Sequence, residues 1–274
     1  MNLKKIFAMG AIAASTLVAV APANAVVTVF ANFSNVGNAN NMRWVVSANT
    51  AAGNFSRNAT FFSIATAGSN VFGARATNFT FSQPALAGVG PLLASMTLNG
   101  TVTNTIATVN GAQITQTNVS GSFAFIQTSP IFTIGQSSFG PGANLLSGSF
   151  TQSTINGQRA GTSAGWSAST LGGSNIMFTS DILSFVPGSN FDLGWSLASI
   201  VPTLNALAAN NGVINPPNKA LRTFKSVLGG QFSSDPAPLT PTIPEPASWM
   251  LMIIGFGMVG ISVRNRSRQT SVSA

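Results

Sequence analysis

The Asn-Gly dipeptides at 110–111 and 156–157 limit the folds open to this chain more than any other sequence feature. Strand-like runs at 105–109 and 112–117 flank the first dipeptide, and a similar run at 146–155 precedes the second. Asn-Gly is the preferred two-residue connection of a β-hairpin, because both of its central residues take a positive φ. The chain is therefore predicted to contain two antiparallel hairpins with their turns at these dipeptides.

Strand-like runs recur through the body of the chain at intervals of about ten to fifteen residues, and no helical pattern alternates with them. Regular short strands of this kind are typical of an all-β sandwich or barrel-like domain. We predict a single antiparallel β-sandwich-like domain over residues 26–234. Residues 197–209 are predicted as a short helix, and 220–228 is compatible with either a strand or a helix. The remaining predicted strands are 26–33, 43–47, 61–67, 78–82, 95–102, 122–128, 131–134, 163–170, 175–179 and 191–197.

Burial of apolar side chains must hold this fold together, because the chain has no cysteine and therefore no disulfide. Its 20 Phe residues can supply the core, since each buries a large apolar area. Charged residues make up only 6% of the chain, so Ser, Thr, Asn, Gln and Gly must provide most of the solvent-facing surface. This combination is typical of secreted β-structure with frequent turns.

The net charge of +8 does not indicate a nucleic-acid partner. Two lysines near the start and three arginines near the end account for part of it, and the basic residues of the body are mostly scattered singly. Lys219, Arg222 and Lys225 form the one local cluster. Their spacing could place them on one helical face, where they would either meet solvent or contact an anionic polymer.

The absence of histidine and cysteine removes most catalytic and metal-binding chemistry from this sequence. Catalytic triads, and zinc, copper or iron–sulfur sites, depend on those side chains. Asp181 and Asp192 are the only acids that could form the carboxylate pair of a glycosidase, and nothing around them indicates a cleft. Asp181 is instead predicted to act in a turn or a cap. We therefore expect no enzyme activity, no cofactor and no metal site.

Tryptophans are candidates for carbohydrate contact, because an exposed indole ring can stack on a sugar while its edge stays polar. Trp44 and Trp166 are the main candidates in the body, and the alternative for each is packing in the core. Trp195, between Leu193 and Leu197 at strand spacing, has the most core-like pattern. An exposed tryptophan platform would favour a carbohydrate-binding module over a structural protein.

The first 25 residues match a secretory signal peptide. Two lysines precede an apolar run at 6–20, which has the length of a signal-peptide apolar region. Ala23 and Ala25 supply a small-x-small cleavage site, so signal peptidase is expected to release a chain that begins at Val26. The alternative is a permanent N-terminal anchor, which usually has a longer apolar run. We predict that the body is exported.

An apolar stretch near the C-terminus is predicted to be a short transmembrane helix. Residues 249–263 contain no charge, and as a helix they would span about 22 Å against a hydrocarbon core of about 30 Å. Trp249 suits the outer interface, and the basic residues that follow suit the cytoplasmic interface, with 269–274 as a polar cytoplasmic end. Those basic residues are Arg264, Arg266 and Arg268. The alternative is a buried helix of the globular core.

A Pro-Glu-Pro tripeptide, made of Pro244, Glu245 and Pro246, stands just before this helix. Proline favours an extended backbone in the residue before it, and residues 235–243 form a Pro-rich linker that is also predicted to be extended. The tail at 244–268 would therefore present the tripeptide outside the membrane, within reach of a membrane enzyme.

The order of Pro-Glu-Pro, tryptophan, apolar helix and arginines resembles the PEP-CTERM sorting domain in its PEPxxWAMMI-x-GFG form. Met250 and Leu251 stand where that form has Ala and Met, and the resemblance covers about residues 243–268. It implies processing of the tail near Pro-Glu-Pro by an exosortase, a membrane enzyme similar to a cysteine transpeptidase. It also implies a Gram-negative host that makes an extracellular polysaccharide.

These features together favour an exported protein with a structural or adhesive role in the cell envelope or in an exopolysaccharide-rich biofilm matrix. The precursor would lie on the periplasmic side of the inner membrane, held through residues 249–263. The processed protein would reach the cell surface or the extracellular matrix. Exosortase, signal peptidase and extracellular polysaccharide are the expected partners. A carbohydrate-binding module sorted in the same way is the alternative, and a secreted hydrolase is a third hypothesis.

Overall fold

The structure is a computed structural model that describes residues 27–46, 58–103, 105–206 and 220–240, together with Ile253, Ile254 and Phe256. Fourteen strands and one short 3-10 helix, Pro84–Val89, make up the ordered elements of these segments. The strands are β1 Thr28–Asn35, β2 Met42–Val46, β3 Ala59–Ser63, β4 Arg75–Phe81, β5 Leu92–Val102, β6 Ala107–Asn110, β7 Gln113–Gln127, β8 Phe132–Ile134, β9 Ser137–Phe139, β10 Asn144–Gln158, β11 Ala164–Ser169, β12 Ile176–Thr179, β13 Asn190–Val201 and β14 Phe224–Asp235. The all-β prediction is confirmed.

The main sheet closes on itself. Strand β14 pairs with β13 along one side and with β1 along the other, and β1 pairs in turn with β4. From β4 the pairing continues through β5, β7, β10 and β11 and returns to β13. Every one of these pairings is antiparallel, as predicted. Opposite parts of this one closed sheet enclose the core, so the packing is sandwich-like and the closure matches the barrel-like form. Strands β8 and β9 form a separate two-stranded hairpin.

Aromatic rings fill the interior of the closed sheet. Phe61 on β3 meets Trp166 on β11 with ring centroids 4.9 Å apart. Phe123 on β7 meets Phe232 on β14 at 5.0 Å. The two strands of each pair are not neighbours in the sheet, so these ring contacts cross the interior. The prediction that phenylalanine supplies the core of this disulfide-free body is confirmed.

Two inner-face glycines make room for one of these rings. A Cβ added at Gly100 on β5 would lie 2.1 Å from Cζ of Phe61, and one added at Gly121 on β7 would lie 2.6 Å from the same atom. Gly100 and Gly121 pair directly across the two strands. The Phe61 ring therefore packs directly against the backbone of Gly100 and Gly121, where any side chain would collide with it.

The side chain of buried Asn41 replaces missing strand hydrogen bonds at one position of β14. Strand β1 pairs with β14 as far as Gly230, and β2 begins its pairing at Ser226, which leaves Leu228 without a strand partner on that side. The Asn41 side chain takes that place: its Nδ2 donates to the Leu228 carbonyl at 3.0 Å, and the Leu228 N–H donates to its Oδ1 at 2.7 Å. One carboxamide thus satisfies both backbone groups of a buried residue.

A serine serves the same purpose where β3 and β4 share β5. Strand β4 pairs with β5 as far as Met96, and β3 takes over at Asn99. The Leu98 N–H lies between them and donates to Oγ of buried Ser63 at 3.0 Å, while that hydroxyl donates to the Gly73 carbonyl at 2.8 Å. Polar side chains in the core of this protein therefore stand in for missing strand partners.

We expect Asn41→Ala to lower the free energy of unfolding by about 2–4 kcal/mol, because it leaves a buried N–H and a buried carbonyl without partners. Chemical denaturation followed by tryptophan fluorescence measures this change. Asn32→Ala is the matched control, since Asn32 on β1 is exposed and its Nδ2 donates only to the Ser82 hydroxyl. The control should change stability by less than about 0.5 kcal/mol. Equal losses for the two variants would contradict the junction role of Asn41.

The hairpin at the first Asn-Gly dipeptide is confirmed, with its turn one residue later than predicted. Asn110 pairs with Gln113, so Gly111 and Ala112 form the connection between β6 and β7. Gly111 has the positive φ, of 57°, that such a turn requires.

The second predicted hairpin also forms, between β10 and β11, but the turn predicted at Asn156 and Gly157 is wrong, because β10 continues through both residues to Gln158. Gly157 serves close packing instead of a turn: a Cβ there would lie 2.5 Å from Cδ2 of Leu204. The chain turns after Gln158, where Ala160 has a φ of 60°.

Two further predictions concern the last part of the body. The helix predicted at 197–209 is not formed over its described residues, because β13 continues to Val201 and 207–209 fall outside them. The open choice at 220–228 resolves to strand from Phe224 onward, where β14 begins.

Candidate functional site

The C-terminal tail leaves the body from a well-defined end of the closed sheet. Strand β14 ends at Asp235, and the chain then runs back against the body, where Leu239 and Ser184 exchange two backbone hydrogen bonds of 2.8 Å. The Gln83 side chain donates to the Pro238 carbonyl at 2.5 Å. The first part of the predicted linker 235–243 is therefore bound to the body.

The N-terminal side of the body lies at the same end. Thr28, the first residue of β1, pairs with Ser234 near the end of β14. We call this the tail-proximal end. The opposite end, where β14 begins and β10 finishes, is the tail-distal end. The chain therefore enters and leaves the body on one side.

The tryptophans predicted to contact carbohydrate lie in the core, so that prediction is wrong for both Trp44 and Trp166. Each side chain is 0% exposed. Their indole N–H groups are bound internally, from Trp44 to the Leu221 carbonyl at 3.1 Å and from Trp166 to the Ser153 hydroxyl at 2.9 Å. Alternation along β2 and β11 points both rings inward, where they join the aromatic interior. The core-packing alternative is the one that the structure supports.

The acids of the body lie at the tail-proximal end and have structural surroundings. Asp181 Oδ2 accepts the Asn144 N–H at 2.7 Å, where β10 begins, so this carboxylate binds the backbone of another segment of the body. Asp192 on β13 pairs with Ser233, and Asp235 is the last residue of β14. Within the described segments, no three His, Cys, Asp or Glu residues come together in a way that could hold a metal ion.

The basic cluster predicted at 219–225 does not form one helical face. Lys225 belongs to β14 and is half-buried, while Arg222 precedes the strand and is exposed. Lys219 lies outside the described residues. Sequence spacing missed a closer basic neighbour, because Lys225 pairs directly with Arg43 of β2. The two residues are 182 positions apart in the sequence (225 minus 43), so no local pattern could have joined them.

The processing residues predicted at the two ends of the chain fall outside the described segments. They are Ala23, Ala25 and Val26 at the N-terminus, and Pro244, Glu245, Pro246, Trp249, Arg264, Arg266 and Arg268 at the C-terminus. Of the predicted helix 249–263, Ile253, Ile254 and Phe256 are described, and they are helical with exposed side chains. A search restricted to described residues finds no helix whose length and apolar character would let it span a membrane.

Residues 242–267 match the family model of the PEP-CTERM protein-sorting motif. No curated protein and no solved structure shows significant similarity to the chain. The match begins two residues after Thr240, the last described residue before the tail. The C-terminal tail is therefore a PEP-CTERM sorting motif, as its resemblance implied, and it marks an exported protein that is sorted by an exosortase.

Proposed function

We propose that this protein is a structural or adhesive component of the cell envelope or of an exopolysaccharide matrix, released by processing at Pro244–Pro246. The sorting motif at 242–267 is the observation that carries the proposal. In the precursor, residues 249–263 anchor the chain in the inner membrane with the body on the periplasmic side. The processed body then works at the cell surface or in the matrix, and it is not a catalyst.

The short distance between body and motif supports processing close to the membrane. Leu239 is held to the body, and Thr240 is the last described residue before the motif. Nine further residues reach Trp249, and an extended chain covers at most about 3.3–3.6 Å per residue. The tail-proximal end therefore lies within about 30 Å of the outer membrane interface in the precursor, and an exosortase has to reach Glu245 beneath it.

The outer face of the body favours a structural role over the two alternatives. Alternation along the strands places hydroxyl and amide side chains outside, and these bind one another, as Ser122 Oγ does with Asn99 Oδ1 at 2.7 Å. Thr115 Oγ1 and Asn156 Oδ1 form a similar pair at 2.7 Å between β7 and β10. A carbohydrate-binding module would have to use such polar groups, since Trp44 and Trp166 are buried. A hydrolase would have to use Asp181, which is engaged with Asn144.

The intact mass of the protein from membranes and from culture supernatant tests the proposal. We expect the supernatant species to begin at Val26 and to end near Pro244–Pro246, with or without an added group. The membrane fraction should contain the longer precursor that still carries Arg264, Arg266 and Arg268. If only that longer species exists, in membranes alone, the tail is a permanent anchor and release to the matrix is excluded.

A further inference from the structure

Charged side chains are separated between the two ends of the closed sheet. The three described acids lie at the tail-proximal end, whereas four of the five described Lys and Arg residues lie at the tail-distal end. Those four are Arg43, Arg159, Arg222 and Lys225. The fifth, Arg75 on β4, pairs with Met96 in the middle of β5. Among the described residues, the tail-distal end therefore carries cations and no acid.

Two of these cations face each other directly. Arg43 on β2 and Lys225 on β14 are register partners. Their neighbours Trp44 and Phe224 stack in the interior at 5.9 Å, and side chains alternate along a strand, so Arg43 and Lys225 both lie on the outer face. Like charges directly opposite each other in a sheet are destabilising. An anionic partner would remove that repulsion.

The other two cations join the same surface through one connecting segment. Arg159 follows β10, and the N–H of the next residue donates to the Leu204 carbonyl at 2.8 Å. The Arg222 N–H donates to the carbonyl of Asn205, the neighbour of Leu204, at 2.6 Å. Both arginines are exposed. They lie on either side of this segment, and Arg222 is three residues from Lys225.

These cations have donor capacity that the described residues leave free. The ammonium group of Lys225 donates to the Gly68 carbonyl, and a protonated lysine has three donors. Guanidinium groups bind carboxylates and other oxyanions through two parallel hydrogen bonds. The surface is therefore suited to oxyanions that repeat along an extended molecule.

We infer that the tail-distal end binds an anionic polysaccharide, through Arg43, Arg159, Arg222 and Lys225. The inference rests on the proposed function, because export places this surface outside the cytoplasm. It points away from the end that carries the sorting tail, so the precursor's own membrane does not face it. The polymer is expected to carry repeated carboxylates, as a polyuronate does, so that several cations bind one chain and hold the body to the matrix.

Binding of the full chain in detergent micelles to immobilised polygalacturonate tests the inference. The variant Arg159→Gln/Arg222→Gln/Lys225→Gln removes three cations that are exposed or half-buried, and its unfolding midpoint shows whether it remains folded. We expect its affinity to fall about tenfold at low salt, with a shallower decrease as salt rises, because fewer charged contacts remain to be screened. The unchanged protein should not bind neutral dextran.

The matched control removes three cations from the tail, as Arg264→Gln/Arg266→Gln/Arg268→Gln. Its net charge equals that of the first variant, and its affinity should stay within about twofold of the unchanged protein. Equal losses for the two variants, no loss for the first, or equal binding to dextran would each overturn the inference. None of these results depends on exosortase, so the proposed processing would stand or fall separately by intact mass.

Discussion

Glu245→Ala is expected to stop processing of the tail in the native host. Glu245 is the only charge in the tail before the arginines, and the sequence predicts an extended backbone there because Glu245 precedes Pro246. Removing the carboxylate takes away the one charged group that an exosortase can recognise there. We expect the supernatant species to fall at least tenfold and the full-length precursor to accumulate in membranes, as measured by immunoblot and intact mass.

Ser248→Ala is the matched control for that experiment. Ser248 occupies a position that the PEPxxW pattern leaves free, so its processing should be unchanged. The unfolding midpoint of the body should be the same for both variants, because the body closes at Asp235 and the last described contact before the tail is that of Leu239. Normal release of the Glu245→Ala protein would remove the sorting role of the tripeptide.

Gly100→Ala is expected to destabilise the body by about 3 kcal/mol, although it adds a single methyl group. The new Cβ would lie 2.1 Å from Cζ of Phe61 and 2.3 Å from the carbonyl oxygen of Ser120. The ring can turn only into neighbouring aromatic rings, and the carbonyl belongs to a paired strand. For a body of this size the midpoint of thermal unfolding should fall by roughly 6–12 °C.

Gly165→Ala provides the control for Gly100→Ala. Gly165 also lies within a paired strand, β11, yet a Cβ there would meet nothing nearer than the Asn156 carbonyl oxygen at 3.9 Å. We expect its stability to be unchanged or slightly higher, since alanine restricts the unfolded chain more than glycine does. A loss as large as that of Gly100→Ala would mean that glycine matters for reasons other than space for Phe61.

Local alternation was enough to predict most strands and several inward faces. In β5, Met96, Leu98 and Val102 are buried, and the sequence pattern places them with Gly100 on one face. This works because a strand with one buried face must alternate whatever its partner is. The Asn-Gly signal was weaker, since Gly157 follows the same dipeptide pattern and serves close packing with Leu204 instead.

Closure of the sheet could not be predicted, because it depends on pairing between the first and the last strand of the body in the sequence, β1 and β14. Thr28 on β1 and Ser234 on β14 are 206 residues apart (234 minus 28). Nothing in the sequence of either strand indicates which strand it pairs with. The hydrogen bonds between Asn41 and Leu228 could not be predicted for the same reason, since they join residues that are far apart in the sequence. Hydropathy could not separate core from surface for Trp44 and Trp166, because tryptophan suits both a core and a sugar-binding face.

The candidate basic surface was also beyond the reach of local patterns. Sequence spacing selected Lys219, Arg222 and Lys225 as a helical group, whereas pairing brings Arg43 beside Lys225. Arg159 joins them through the segment at Leu204 and Asn205. The tail was predicted more completely, because its residues are contiguous and the motif is read without knowledge of the fold.

The closed sheet sets an order of events during export. Strand β1 emerges from the translocation channel first, yet its partner β14 is the last strand of the body to arrive. The ring of pairings is therefore completed only after about residue 235 has crossed. The tail follows within a few residues of that point, and long-range pairing of this kind is intrinsically slow. The anchoring that we propose for the sorting tail would keep such a late-folding body at the membrane until β14 has paired with β1.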